Sequence, residues 1–240
     1  MSELVLKNLV KSYNGKKIVD KVDLTVSQGK VTGLLGPNGA GKTTTFYMTV
    51  GMIRPDQGSV YIDEEDITAH PMYIRARKGL GYLPQESSIF KKLTVRQNIT
   101  AILEVLPRNG TDIEKTAMNL MKELGIDHLA HQKAASLSGG ERRRLEISRV
   151  LATGPKFILL DEPFAGIDPL AVIDIQQIIS QLTGKGIGVL ISDHNVRETL
   201  GVCDHAYIMS QGVVIESGPP ERIISSKIAK KIYLGDNFKL

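Results

Sequence analysis

The sequence predicts an α/β protein with a parallel-sheet core, an N-terminal antiparallel β region and an inserted helical subdomain. Three observations carry this prediction. Short apolar, β-branched runs alternate with helical patterns and break at Gly, Pro and Asp clusters. The opening segment alternates apolar with polar residues beyond a turn at Asn14-Gly15. Between about residues 87 and 150 the strand signal disappears.

Leu4-Val5-Leu6 and Val22-Asp23-Leu24-Thr25-Val26 flank the Asn14-Gly15 turn, and Ser59 to Ile62 join them after Pro55-Asp56-Gln57-Gly58. Val31-Thr32-Gly33-Leu34-Leu35 reads as a buried strand, as do Gly79 to Leu83, Phe157 to Leu160 and Ile187 to Ile191. Such runs separated by helices imply a parallel sheet covered on both faces. In the inserted block, helices are predicted from Thr94 to Leu106, from Thr111 to Leu124 and from Ser138 to about Ala152. The second opens with the capping box Thr111-x-x-Glu114 and closes at Gly125. Asp168 to Leu182 places Val172, Ile175, Ile179 and Leu182 on one helical face and ends at Gly184. A hairpin follows, with Ala206 to Met209 and Val213 to Ile215 joined at Gln211-Gly212. The expected organisation is one domain over 1–240: a core of 1–86 and 151–217, a helical subdomain over 87–150 and a tail over 218–240.

Composition narrows the function classes. Among 240 residues, 42% are apolar and 23% charged, which argues against disordered and fibrous chains. Thirty Lys+Arg against 26 Asp+Glu leave +4, too mild to require a nucleic-acid partner yet compatible with a phosphate ligand or an anionic surface. The single cysteine, Cys203, excludes an internal disulfide and fits a reducing compartment. No signal-peptide pattern opens the chain and no apolar run reaches bilayer length, so a soluble cytoplasmic protein is expected.

Gly36-Pro37-Asn38-Gly39-Ala40-Gly41-Lys42-Thr43 matches the phosphate loop G-x-x-x-x-G-K-[ST], with a buried strand before it and a helical pattern from Thr44 after it. Glycines let successive backbone N–H groups turn toward phosphate oxygens, and the helix N-terminus adds its dipole. Lys42 supplies a point charge and the Thr43 hydroxyl a magnesium ligand. Phe157 to Leu160 then deliver Asp161 and Glu162 at a strand end. Asp161 is the natural magnesium partner through water, and Glu162 the natural general base. Read in isolation, an Asp-Glu before Pro163 is equally a capping turn. Two further strand ends carry Gln85 and His194, so four polar strand ends are expected to converge on one crevice.

Leu137-Ser138-Gly139-Gly140-Glu141 is a capping box containing two consecutive glycines, each costing about 1 kcal/mol in a helix relative to Ala. Arg142-Arg143-Arg144 follow, although positive charge opposes the dipole at a helix N-terminus. Bare amides, a hydroxyl and nearby arginines suit an anion, which makes this a second phosphate site.

Taken together, these segments resemble the ATP-binding-cassette (ABC) ATPases, members of the P-loop NTPases, over the whole chain. The resemblance makes Gly36–Thr43 the Walker A loop, Gln85 the Q-loop glutamine, Leu137–Glu141 the signature, Phe157–Glu162 Walker B, Asp168 part of the dimer D-loop and His194 the switch histidine. Glu141 departs from the commoner glutamine. The resemblance implies ATP held by Tyr13, stacked on adenine, and by Gly36, Pro37, Asn38, Gly39, Ala40, Gly41, Lys42, Thr43 and Thr44 of one chain. Ser138, Gly139, Gly140 and Glu141 of a second chain complete each site in a homodimer. It further implies catalytic roles for Glu162, His194 and Gln85, with magnesium at Thr43, Gln85 and Asp161.

Within the family, Gly36 to Met48, Leu137 to Arg144, Phe157 to Gly166 and Tyr233 to Phe238 look like the ATP-binding subunits of lipopolysaccharide exporters. Subunits for branched-chain amino acid uptake share much of the pattern. Either case implies two integral-membrane subunits, for which Gln85 to Arg96, including Phe90, Lys91 and Lys92, is the expected docking rim, and peripheral attachment to the cytoplasmic face of the inner membrane. A solvated charged loop is the plainer reading of that rim. Lys227, Lys230 and Lys231 beside Ile224, Ile228 and Ile232 fit a terminal helix docked on its own core, or a basic membrane-surface helix. A soluble ABC ATPase of repair or translation, or a small-molecule kinase, stays open on the phosphate loop alone.

Overall fold

A computed structural model of the chain describes residues 2–106, 112–235 and 238. It divides into two compact units, Met1–Tyr82 with Lys156–Leu240, and Leu83–Pro155.

The first unit opens with β1 (Glu3–Tyr13) and β2 (Lys16–Ser27), followed by β3 (Val31–Leu35), α1 (Lys42–Val50), β4 (Gln57–Ile62), β5 (Glu65–Asp66) and α2 (Met72–Arg77). β6 (Leu80–Leu83) leads into the second unit, which holds α3 (Val95–Glu104), α4 (Ile113–Glu123) and α5 (Gly139–Leu151). The chain returns with β7 (Phe157–Asp161), α6 (Pro169–Gly184), β8 (Gly188–Ser192), α7 (Val196–Leu200), β9 (His205–Ser210) and β10 (Val213–Gly218). It ends with α8 (Pro220–Ser225), α9 (Lys227–Ala229) and a π-helical turn at Lys230–Leu234.

The antiparallel sheet runs β2-β1-β4-β5 and the larger sheet β10-β9-β3-β8-β7-β6. β3 pairs in parallel with both β8 and β9, and β7 pairs in parallel with β8. All five residues of β3, β7 and β8 are buried, which explains why their sequences are mostly apolar and lack a polar alternation. The hairpin β9–β10 extends this sheet beside β3, so the sheet is mixed at that edge. One core cluster joins Leu4, Leu6 and Val60 of the antiparallel sheet to Leu34, Leu159 and Leu190 of the larger one, and includes Phe46 and Met48 of α1. Complete burial of a side chain such as Phe46 contributes about 1.5–3 kcal/mol.

β1 is longer than its apolar opening suggests, because its register shifts between Leu6 and Leu9 and again before Lys11, carrying the pairing on to Tyr13. On α6, Ile175, Ile178, Ile179 and Leu182 are buried while Val172 is only partly covered, so the apolar face begins later than predicted. The C-terminal helices dock through Ile223 and Ala229 and leave Ile228 and Ile232 exposed.

The second unit has its own core, in which Val95, Ile99 and Leu103 meet Ala117, Met121 and Leu145. Thr94 caps α3 in a reciprocal box with Gln97. Thr111, the predicted start of the next cap, lies outside the described residues. Asp112 caps α4 by accepting from the Lys115 N–H at 3.0 Å, and Glu114 instead pairs with Arg96 at 3.4 Å. Among the described residues, no helix is long and apolar enough to cross a membrane.

Candidate functional site

The phosphate loop leaves β3 at Gly36, where φ is 151° and a Cβ would lie 2.1 Å from the Met209 carbonyl oxygen of β9. At Gly41 φ is 104° and a Cβ would lie 2.6 Å from the Ile18 carbonyl oxygen. Only glycine fits either position. Gly41 then opens α1 with no side-chain cap and no acid in the first turn. The dipole and free amides of that end therefore suit an external anion. Asn38, Gly39 and Thr43 are exposed, Pro37 and Thr44 partly so, and Ala40 is buried.

Lys42 is only 6% exposed, and its Nζ donates to the carbonyls of Gly36 at 2.7 Å and Pro37 at 3.1 Å. Burial pulls its pKa down, while the carboxylates of Glu162, Asp193 and Asp161 oppose that shift. Lysine and acids therefore share one electrostatic environment.

Asp161 ends β7 at 5% exposure and accepts a hydrogen bond from the Tyr82 hydroxyl at 3.2 Å. Burial raises its pKa, reinforced by Glu162 and Asp193 and resisted by the Tyr82 bond. Burial and the Asp161 charge likewise push the Tyr82 phenol upward. Glu162 has φ of 46°, a left-handed conformation that costs a non-glycine residue of order 1–3 kcal/mol. Its N–H still donates to the Ser192 carbonyl at 2.6 Å, so the chain turns while remaining bound to β8. The turn re-aims the second acid: Glu162 Oε2 lies 3.6 Å from His194 Nδ1.

His194 is an exposed residue just past β8, and Asp193 beside it is fully buried. Asp193 accepts from the N–H groups of Phe164 and Asn195, each at 2.8 Å, and Asn195 Nδ2 donates to the Phe164 carbonyl at 2.8 Å. The segment after Glu162 is thereby tied to the segment around His194. Burial raises the Asp193 pKa against these bonds. Sequence reasoning stressed His194 and passed over Asp193 and Tyr82. The available signal was an acid just past the apolar run Val189-Leu190-Ile191, which must find donors when buried.

Tyr13 closes β1, 44% exposed, with the Lys11 ammonium 5.6 Å above its ring. Asp168 caps α6 by accepting from the Leu170 and Ala171 N–H groups at 3.0 Å. The first unit thus brings Gly36–Thr43, Asp161, Glu162 and His194 together.

Gln85 and Ser138–Glu141 belong to the second unit. Gln85 is exposed two residues beyond β6. Its neighbour Pro84 accepts from Arg143 of α5 at 3.3 Å, and Glu146 of the same helix pairs with Arg143 at 3.3 Å and accepts from the Ser88 N–H at 3.2 Å. The α5 helix is therefore bonded to the segment carrying Gln85. At its start, the Ser138 N–H and hydroxyl each donate to Glu141 Oε2 at 2.8 Å, which holds the Glu141 carboxyl below its usual range. A Cβ at Gly139 or Gly140 would meet nothing within 4 Å. The chain's own packing does not require these glycines.

A phosphate loop on a parallel strand with acids at the neighbouring strand ends defines a P-loop nucleotide hydrolase. Residues 19–165 match the ABC transporter family, and the chain belongs to it, carrying its ATPase cassette. It is 54% identical over 241 residues, spanning 100% of both chains, to the lipopolysaccharide export system ATP-binding protein LptB of Escherichia coli strain K12. The LptB of Haemophilus influenzae is also 54% identical over 100% of both chains. Among solved structures, the ADP conformation of MJ1267, an ATP-binding cassette of an ABC transporter, superposes with a TM-score of 0.89 at 32% identity, covering 98% of this chain and 100% of that one.

Proposed function

We propose that this chain is the ATP-hydrolysing subunit of a transporter that extracts lipopolysaccharide from the inner membrane for export to the outer membrane. It works as a homodimer beneath two integral-membrane subunits, attached peripherally at the cytoplasmic face. The observation that carries the reading is the 54% identity extending over 100% of this chain and of the lipopolysaccharide-export relative.

The chemistry follows from the site. Gly36–Thr43, with Lys42, grip the phosphates of ATP, Thr44 lines the same helix start and Tyr13 offers a ring to the base. Ser138, Gly139 and Gly140 of the second chain close on the γ-phosphate, and their support is that neither glycine serves the packing of its own helix. Thr43, Asp161 through water and Gln85 would hold magnesium, an all-oxygen set matching a hard cation that neutralises phosphate charge when bound. Glu162 takes a proton from the attacking water as its oxygen bonds to the γ-phosphorus and the bond to ADP breaks. His194 orients beside Glu162. Loss of the bridging phosphate lets the dimer open, and the Asp168 turn lies along that interface.

Docking is assigned to the rim from Gln85 to Arg96. Phe90 is 45% exposed with the Arg149 guanidinium 4.5 Å over its ring, and Asn98 grips its backbone through Phe90 N at 2.8 Å and Phe90 O at 3.0 Å. The side chain is thus presented rigidly. Phe90→Ala is expected to leave nucleotide binding intact and to prevent co-purification of the membrane subunits.

Depleting the chain in its bacterium tests the whole reading. Lipopolysaccharide should accumulate in the inner membrane, and two integral-membrane chains should accompany the tagged protein out of detergent extracts. Normal lipopolysaccharide delivery with a failed amino acid uptake would make it an importer subunit instead.

A further inference from the structure

We propose that Tyr233, in the C-terminal tail, is a positioning residue for catalysis: its hydroxyl holds the backbone of His194 and the mouth of the phosphate loop in one arrangement. The inference rests on the ATPase reading above and adds a function to the tail. The Tyr233 hydroxyl donates to the His194 carbonyl at 3.4 Å. The backbone of Gly36, the first residue of the loop, lies close enough to the same oxygen to offset part of the burial that pushes its pKa up to about 12. A single phenol therefore touches the two segments that must keep register when Lys42 and His194 act on one phosphate.

The tail is anchored firmly enough to serve as a reference. Ile223 and Ala229 are fully buried against Leu35, just before Gly36, and Leu200, at the end of the helix that follows His194. Ser226 caps α9 through the Ala229 N–H at 3.2 Å and donates to Glu216 of β10 at 2.8 Å. The His194 imidazole, by contrast, is half-exposed, with acids at 3.6 Å, so its direction depends on how its backbone is held. Hydrogen bonds at this distance from the reacting atoms act by orientation, where small displacements cost rate more than affinity.

Tyr233→Phe keeps the ring and removes only the hydroxyl. In the full-length chain, kcat for ATP hydrolysis should fall about three- to tenfold, as expected for one lost hydrogen bond. KM for ATP should stay within about twofold and the thermal midpoint within about 2 °C, since no packing is removed. An unchanged kcat overturns the proposal. So does a rate loss that merely follows a lowered midpoint, because that assigns Tyr233 to packing. Wild-type protein without ATPase activity would instead sink the functional reading on which the inference rests.

Discussion

Glu162 Oε2 stands 3.6 Å from Nδ1 of His194, and it stands there because residue 162 is left-handed at φ 46°. An ordinary extended residue would alternate the two acids across the sheet. Instead Asp161 stays buried near Lys42 and Glu162 swings toward the end of β8. Glu162→Gln preserves the shape of the side chain and removes the proton acceptor. Turnover should drop at least about a hundredfold, the range for a lost general base, while ATP binding persists and favours an ATP-dependent dimer. Steady-state hydrolysis with sizing in ATP checks this, and wild-type turnover would remove Glu162 from the role of base.

Asp161 is poised for function at the expense of stability. Its pKa is raised mainly by burial, so between its unfolded and folded pKa values the folded state holds more protons and stability falls as pH rises. Asp161→Asn removes that penalty and keeps an acceptor for the Tyr82 hydroxyl. The variant should melt a few degrees higher at neutral pH and lose magnesium-dependent turnover. A lower midpoint at pH 7 would contradict the burial argument.

Glu141 keeps the Ser138 hydroxyl occupied at 2.8 Å and places a negative charge at an anion-seeking helix end. Glu141→Gln retains the capping geometry without the charge. The ATP concentration that drives half-maximal dimer formation should fall about two- to fivefold, the scale of one removed surface repulsion. No change, measured by light scattering against ATP, would make Glu141 a cap alone.

Arg75 is 1% exposed and donates to four backbone carbonyls: Met48 at 2.7 Å, Thr49 at 2.6 Å, His70 at 2.8 Å and Thr68 at 2.8 Å. Burial lowers its pKa to about 10, countered by Asp66. Two of those carbonyls belong to the last turn of α1, so the helix that starts at the phosphate loop is clamped at its far end. Arg75→Met should cost about 3 kcal/mol or more in urea unfolding, because buried acceptors lose their donor. A loss below about 1 kcal/mol would mean that water replaces the guanidinium.

Much of this was legible from residue order. The buried runs of β3, β7 and β8 announced themselves because strands covered on both faces have no polar alternation. Ser138 marked a helix start through its capping chemistry. The missing parts depend on distant contacts. Nothing local to β9 indicates that it pairs with β3, nor that its Met209 carbonyl forbids a side chain at Gly36. Arg75 reads as one more charged residue on a short helix until its four carbonyl partners, from separate segments, are assembled around it. Asp193 was hidden beside a more conspicuous histidine, although the burial of its strand already required partners for it.

The bare turn at Gly139 and Gly140 has a kinetic corollary. On the proposed reading each chain lends its signature helix to another and borrows one in return, so that neither works singly and hydrolysis by the free subunit should rise with the square of its concentration when dilute. Fastening two copies beneath a shared membrane platform replaces that bimolecular encounter with a local concentration set by geometry. On that reading, subunits outside an assembled transporter would consume almost no ATP.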